Sequence, residues 1–167
     1  MRAKDGLAAT AVQLGDDDEV RKILEQVCAQ TDMGFAAVAY VTETRWIACQ
    51  VLDQIEFGLN PGDELEVKTT ICDDIRASGE AVIIDSVIDD PKWRRHHTPR
   101  MYGFQSYASV PIYLDDRSFF GTLCAIDPRP RQISGQDVFT TLKGFAGQVG
   151  SIMSARRRAL EQLAVVE

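Results

Sequence analysis

Few side chains in this sequence can do chemistry. There are four cysteines, Cys28, Cys49, Cys72 and Cys124, and two histidines, the adjacent pair His96-His97. A thiolate attacks electrophiles or binds soft metals, and an imidazole moves protons or ligates. Spacing restricts both uses. The cysteines lie more than 20 residues apart and form no CxxC pair, so a zinc ribbon or thioredoxin-like motif is absent. Adjacent histidines point in different directions in most backbones and rarely ligate one ion, so His96-His97 reads first as solvated imidazoles in a polar loop. Cys49 and Cys124 fall in strand-like runs and read as inert core thiols. Cys28 lies beside the apolar face of a helix, in a core or at an interface.

The richest stretch is residues 86–105, SVIDDPKWRRHHTPRMYGFQ. Trp93, Tyr102 and Phe104, with Tyr107 just beyond, form an aromatic set beside Arg94, Arg95 and Arg100. Such a set suits an anionic or aromatic ligand, because guanidinium pairs with carboxylate or phosphate. The alternative is that the aromatics pack this stretch onto a sheet and the arginines face water. Both readings stand at this point.

The elements that must position these groups follow from periodicity. The longest β signal is a hairpin at 106–127. Its arms are Tyr107–Leu114 and Ser118–Ile126, joined by Asp115-Asp116-Arg117. Upstream, residues 1–15 have small side chains and no strong period, giving a frayed end or a loose lead-in helix. Asp16–Glu19 starts a helix carrying Val20, Ile23, Leu24, Val27 and Thr31 on one face. Phe35–Val41 is apolar throughout and reads as a central strand, with a second strand at 45–52. Residues 53–63 form a loop, and a short strand follows at 64–67. Thr70-x-x-Asp73 has the shape of a capping box for a helix ending at Ser78-Gly79. Ala81–Asp85 is a strand. Pro91 and Pro99 break residues 86–105 into short turns. Ser134 is the N-cap expected for a final helix that runs about 30 residues to Glu167. Its stripe of Val138, Leu142, Phe145, Val149 and Ile152 is longer than a globular helix usually carries, which points to a dimer seam or a helix continuing into a longer protein.

Bulk properties bound the function. A chain of 167 residues suits one domain and needs no disulfide or metal staple. Net charge of −7 argues against nucleic-acid binding by a positive surface, and the basic clusters at Lys92–Arg95 and Arg156–Arg158 are short. No apolar run reaches about 18 residues, so no membrane insertion is expected. Isolated thiols without a signal peptide imply a reducing, cytoplasmic setting.

Several pieces together resemble the GAF domains of bacterial signalling proteins such as sensor histidine kinases and diguanylate cyclases. Phe120-Gly121-Thr122-Leu123-Cys124-Ala125-Ile126-Asp127 is similar to the family's GTLCxID strand end, and Tyr107–Ile112 to its YASVPL strand. Ile71-Cys72 to Ile75, Ile84-Asp85 and Asp89-Asp90-Pro91 also match in place. The resemblance spans about residues 16–155, with a lead-in at 1–15 and an extension of the last helix at 156–167. It implies an α/β (α+β) fold: a central antiparallel sheet of five or six strands, with the terminal helices on one face and loops and short helices on the other.

The resemblance also implies a function. Such a domain binds a small molecule beneath a lid, here residues 86–105, and signals through dimerising helices to an output domain elsewhere. The candidate ligand-contacting residues are Cys72, Trp93, Arg94, His96, His97, Arg100, Tyr102, Phe104 and Tyr107. A homodimer through Val138, Leu142, Phe145, Val149 and Ile152 is expected, and no catalytic constellation is present. The competing reading is a ligand-free dimerisation or interaction module. A bilin or haem photoreceptor or redox sensor is disfavoured, because Arg95 stands before His96 where a chromophore-linking cysteine is expected. Free-methionine sulfoxide reduction is disfavoured because no Cys-Asp pair follows the irregular loop, and the nucleotide-binding NKFDE signature is absent. No cofactor is firmly implied.

Overall fold

The apolar run Phe35–Val41 forms strand β1, which is buried on both faces because it lies mid-sheet. The computed structural model describes the backbone of residues 5–166 and the side chains of residues 5–163. Residues 1–4 of the expected lead-in and the expected helix end at Glu167 lie outside the described residues. β1 is flanked by β2 (Trp46–Asp53) and β6 (Phe119–Asp127). With β3 (Glu64–Leu65), β4 (Val82–Ile84) and β5 (Ser106–Tyr113), the sheet has six strands in the order β3-β2-β1-β6-β5-β4. Every pairing is antiparallel.

Side chains alternate across this sheet and divide the core in two. Ala36 and Val38 of β1, Ala108, Val110 and Ile112 of β5, and Leu123 and Ala125 of β6 face three helices. These helices are α1 (Gly6–Gly15), α2 (Asp18–Thr31) and α5 (Gln136–Val166). Phe35, Ala37, Ala39, Tyr107, Cys124 and Ile126 face the opposite side. That side is covered by α3 (Ile71–Ser78), α4 (His97–Tyr102) and the long loops. The expected α/β arrangement, with terminal helices on one face, is therefore present.

Local details depart from the sequence reading in three places. The lead-in helix is not loose: Ala8, Ala11 and Leu14 of α1 are buried, and α1 packs on β2. Its small residues hid this, because close helix-to-strand approach needs little side-chain volume. The capping box at Thr70 does not form, since the Thr70 hydroxyl donates to the Val67 carbonyl at 2.6 Å and so closes the preceding 3-10 turn. Ser134 does not cap α5, which starts two residues later. Its hydroxyl instead donates to Asp85 at 2.5 Å, and Asp85 also accepts the Ile133 N–H at 2.7 Å.

The stripe on α5 turns inward. Leu142, Phe145 and Val149, expected on a dimer seam, are buried in the chain's own core with Met153, while Val138 and Ile152 pack at its margin. The physical reason is that α5 lies along β5, where Gly150 brings the helix so close that an added Cβ would sit 2.2 Å from the Tyr113 carbonyl oxygen. The exposed side of α5 carries Thr140, Gly144, Ser151 and Ala155 instead. Leu142→Ala is accordingly expected to cost about 2–5 kcal/mol in urea unfolding of the protomer, by leaving a cavity. A change confined to dimer dissociation, with the protomer's unfolding midpoint intact, would contradict that placement.

Candidate ligand cavity and thiol pair

The site is built on the face of β5 and β6 away from α5. Tyr107 and Ser109 alternate onto that face from β5, and Thr122, Cys124 and Ile126 from β6. The register sets Tyr107 opposite Ile126 and Ser109 opposite Cys124. Helix α3 lies above them, and its second residue, Cys72, aims its sulfur at the sheet. Cys72 Sγ is 3.1 Å from Thr122 Oγ1, 3.6 Å from Tyr107 OH and 3.9 Å from Ser109 Oγ. The Cys124 thiol faces the same cluster from β6. It donates to the Ala37 carbonyl, 3.7 Å from Cys124 Sγ.

A small inner cavity of about 30 Å³ adjoins this cluster, lined by Cys72, Cys124, Tyr107, Trp46, Tyr102 and Phe104 among others. It has room for one or two water-sized molecules. One donor there is unsatisfied: Trp46 is buried, and its indole Nε1 has no partner in hydrogen-bonding geometry. Orphaned buried N–H groups cost free energy, so their presence beside a cavity marks a place for an acceptor.

The electrostatics separate the two thiols. Burial alone pushes thiols up: Cys49 reaches about 12 and Cys28, next to the Asp127 charge, about 11. Cys72 moves the other way. The Cys124 thiol beside it lowers it most, burial opposes, and the neighbouring donors Thr122, Tyr107 and Trp46 add smaller pulls. Cys124 rises well above the ordinary thiol value, through the neighbouring Cys72 sulfur and then burial. Tyr107 is raised by burial and by the two nearby sulfurs. The pair titrates as a unit, and Cys72 is the member that gives up its proton first.

The expected site residues separate into two groups. Cys72, Tyr102, Phe104 and Tyr107 line the cavity together. Trp93 is buried but packs against His96 with the rings tilted at 55° and 4.8 Å apart, outside the lining. Arg94, Arg95, His97 and Arg100 are exposed. Among the described residues no guanidinium lines the cavity, so the anionic-ligand reading loses its basis. The histidine rings stack at 4.4 Å rather than diverge. His96 is the N-cap of α4, its Nδ1 accepting the Thr98 N–H at 3.2 Å, and burial followed by the His97 charge lowers its pKa. Among the described residues no group of three or more His, Cys, Asp or Glu could hold a metal. Cys124, expected to be an inert core thiol, belongs to the cluster. Sequence reasoning misses its neighbour Thr122 and the orphaned Trp46, although the two-residue alternation of Thr122 and Cys124 in β6 is a usable signal.

The lid is held over this site by few bonds. Thr98 donates to the Thr69 carbonyl at 2.6 Å, Tyr102 OH meets Thr69 Oγ1 at 2.6 Å, and the Gln105 N–H donates to the Asp127 carbonyl of β6 at 3.0 Å. Beside it lies an open groove of about 490 Å³ between the 55–59 loop and α4. Phe57, Leu65, Tyr102, Phe104 and Ile126 wall the groove on one side and the inner cavity on the other.

The family described as GAF domain matches residues 17–153, the span that contains the sheet, the thiol pair and most of α5. The chain belongs to the GAF domain family. Solved structures superpose over nearly the whole chain. The GAF domain of an Acinetobacter phosphoenolpyruvate-protein phosphotransferase does so with TM-score 0.66 and 13% identity, covering 94% of this chain and 99% of that one. A methyl-accepting chemotaxis protein segment gives 0.63 and 18% identity, covering 90% and 96%. The type II free methionine-R-sulfoxide reductase of Thermoplasma acidophilum gives 0.62 and 10%, covering 88% and 94%. At such identities the likeness carries the fold alone. Curated proteins yield no match. Within the GAF fold of this chain, no helix among the described residues is long and apolar enough to cross a membrane.

Proposed function

We propose that this GAF domain is the sensory, regulatory part of a signal-transduction protein, with its output in another domain. In this reading a small uncharged ligand enters from the groove, displaces Phe57 and Tyr102, and merges groove and cavity into one pocket. The observation that carries the reading is the shared wall of Phe57, Leu65, Tyr102, Phe104 and Ile126. The combined space falls in the roughly 300–1,000 Å³ range of small-molecule sites. The orphaned Trp46 N–H supplies a directional contact for a ligand acceptor. The response passes through β6, whose end leads through residues 128–135 into α5, and a second copy docks on the exposed side of α5. A ligand shifts the helix arrangement only by as much as it favours one state over the other.

A thermal-shift screen of metabolites tests this. A ligand present at about 100 times its Kd adds about 2.7 kcal/mol, which raises Tm by roughly 5–10 °C in a domain of this size. Trp46→Phe is expected to weaken that hit, and Phe57→Ala to ease entry. A flat screen for the wild type and for Phe57→Ala alike would favour the second reading, a ligand-free interaction module. The small size of the inner cavity, about 30 Å³, is the observation on that side. Ser151→Arg with Ala155→Arg, sized by light scattering, is expected to turn a dimer into a monomer without lowering Tm. A wild type that is monomeric at high concentration would rule the dimer out.

A further inference from the structure

We propose that Cys72 and Cys124 form a peroxide-reactive thiol pair, oxidised to a disulfide that ties α3 to β6. Three placements lead there. The two sulfurs come from distant parts of the chain to one spot on the inner face of the sheet: Cys72 Sγ lies 3.1 Å from Thr122 Oγ1, and Cys124 is the next inward-facing residue of β6. They border the same cavity, which is about 30 Å³ in size and large enough for a molecule of hydrogen peroxide but for little more. Trp46 Nε1, a buried donor with no partner in full hydrogen-bonding geometry, lines the same cavity, where a peroxide oxygen would accept. Tyr107 OH and Thr122 Oγ1 complete a ring of hydroxyls around the Cys72 sulfur.

Cys72 is the attacking sulfur, since the donors around it favour its thiolate while Cys124 keeps its proton. Its thiolate forms a bond to one peroxide oxygen as the O–O bond breaks. The departing hydroxide takes the proton that Cys72 gave up and leaves as water. Cys72 is then a sulfenic acid. The Cys124 sulfur attacks it, the S–S bond forms, the S–O bond breaks, and hydroxide leaves with the Cys124 proton as a second water. Overall, two thiols and one hydrogen peroxide give one disulfide and two waters. The thiols lose two electrons and the peroxide gains them. Cys28 and Cys49 are also buried, but each is pushed up rather than down and neither borders the cavity.

The test uses the full chain, reduced and then exposed to hydrogen peroxide, followed by intact mass and peptide mapping. Expected is a loss of about 2 Da. Titratable thiols under denaturant fall from the four of the reduced chain to two, and one cross-linked peptide joins Cys72 to Cys124. Cys124→Ser should leave Cys72 as a sulfenic acid that dimedone traps, and Cys72→Ser should leave Cys124 unmodified. Trp46→Phe should slow the loss of thiols while still ending in the same disulfide. Four intact thiols in the wild type after peroxide would overturn the proposal. So would a disulfide mapped to another pair, or dimedone labelling of wild-type Cys72 with no disulfide. The wild-type mapping needs no substitution, so it decides the matter even where a variant misfolds.

Discussion

Gly121→Ala should cost more than about 4 kcal/mol and lower Tm by at least 8–16 °C, the largest effect expected from removing no atom at all. Gly121 lies in β6 opposite Tyr40 of β1. A Cβ there would sit 1.8 Å from the Ala39 carbonyl oxygen and 2.8 Å from its carbon. Both are backbone atoms of the central strand, buried on both faces, so neither can rotate away as a side-chain tip would. Relief requires prising β1 from β6, which breaks the ladder and disturbs both cores at once. Gly144→Ala is the control. It lies on the exposed side of α5 with nothing within 4 Å of an added Cβ, and should stabilise by about 0.5–1 kcal/mol through helix propensity. Calorimetry of the two variants checks both signs. Equal Tm values would mean that the β1–β6 contact is looser than these distances require.

Asp127→Ala should cost about 2–3 kcal/mol and flatten the acid limb of the stability profile. The Asp127 side chain is fully buried at the end of β6. Its Oδ2 accepts the Gly34 N–H at 2.9 Å, and its Oδ1 accepts the Arg129 N–H at 2.8 Å and Nε–H at 2.9 Å. One carboxylate thus fastens the entry to β1 and the exit toward α5. Removing it leaves the Gly34 donor without its partner. Burial by itself would raise the Asp127 pKa, but the Arg129 guanidinium, the Arg129 N–H and the Gly34 N–H outweigh it and hold the carboxyl below its ordinary value of 3.8. A lowered folded-state pKa contributes stability that is complete above the unfolded value. That stability is lost as pH falls through the folded one. The wild type should therefore lose stability below about pH 4 more steeply than Asp127→Ala, as read by urea midpoints across pH. Parallel profiles would show that Asp127 does not carry this linkage.

Much of the fold is legible in the sequence because periodicity is local. The alternation and apolar runs of Phe35–Val41 and of the 106–127 hairpin specify strands before any partner is known. Val20, Ile23, Leu24 and Val27 specify one helical face in the same way. Caps are less legible. Thr70 and Ser134 have suitable hydroxyls, but each finds a better acceptor, the Val67 carbonyl and Asp85, the second of them supplied by a distant segment. The candidate site is half legible. Residue type and family pattern point to Cys72, Tyr102, Phe104 and Tyr107, whereas nothing local marks Trp46 or Thr122 as their neighbours.

The sequence by itself determined which residues form strands and helices, and through the GTLCAID and YASVPI strands the family. These are properties of neighbours along the chain. What each buried face packs against was decided only in three dimensions. The stripe of Leu142, Phe145 and Val149 announced a buried face, yet a period cannot say whether a partner copy or the chain's own sheet covers it. Gly150 let α5 approach the sheet, and the sheet took it. In the same way, four scattered cysteines gave no reason to join Cys72 to Cys124. Folding α3 over β6 set the two sulfurs together among hydroxyls, with Trp46 left unpaired beside them. Their chemistry comes from that shared environment, which no stretch of the chain carries alone.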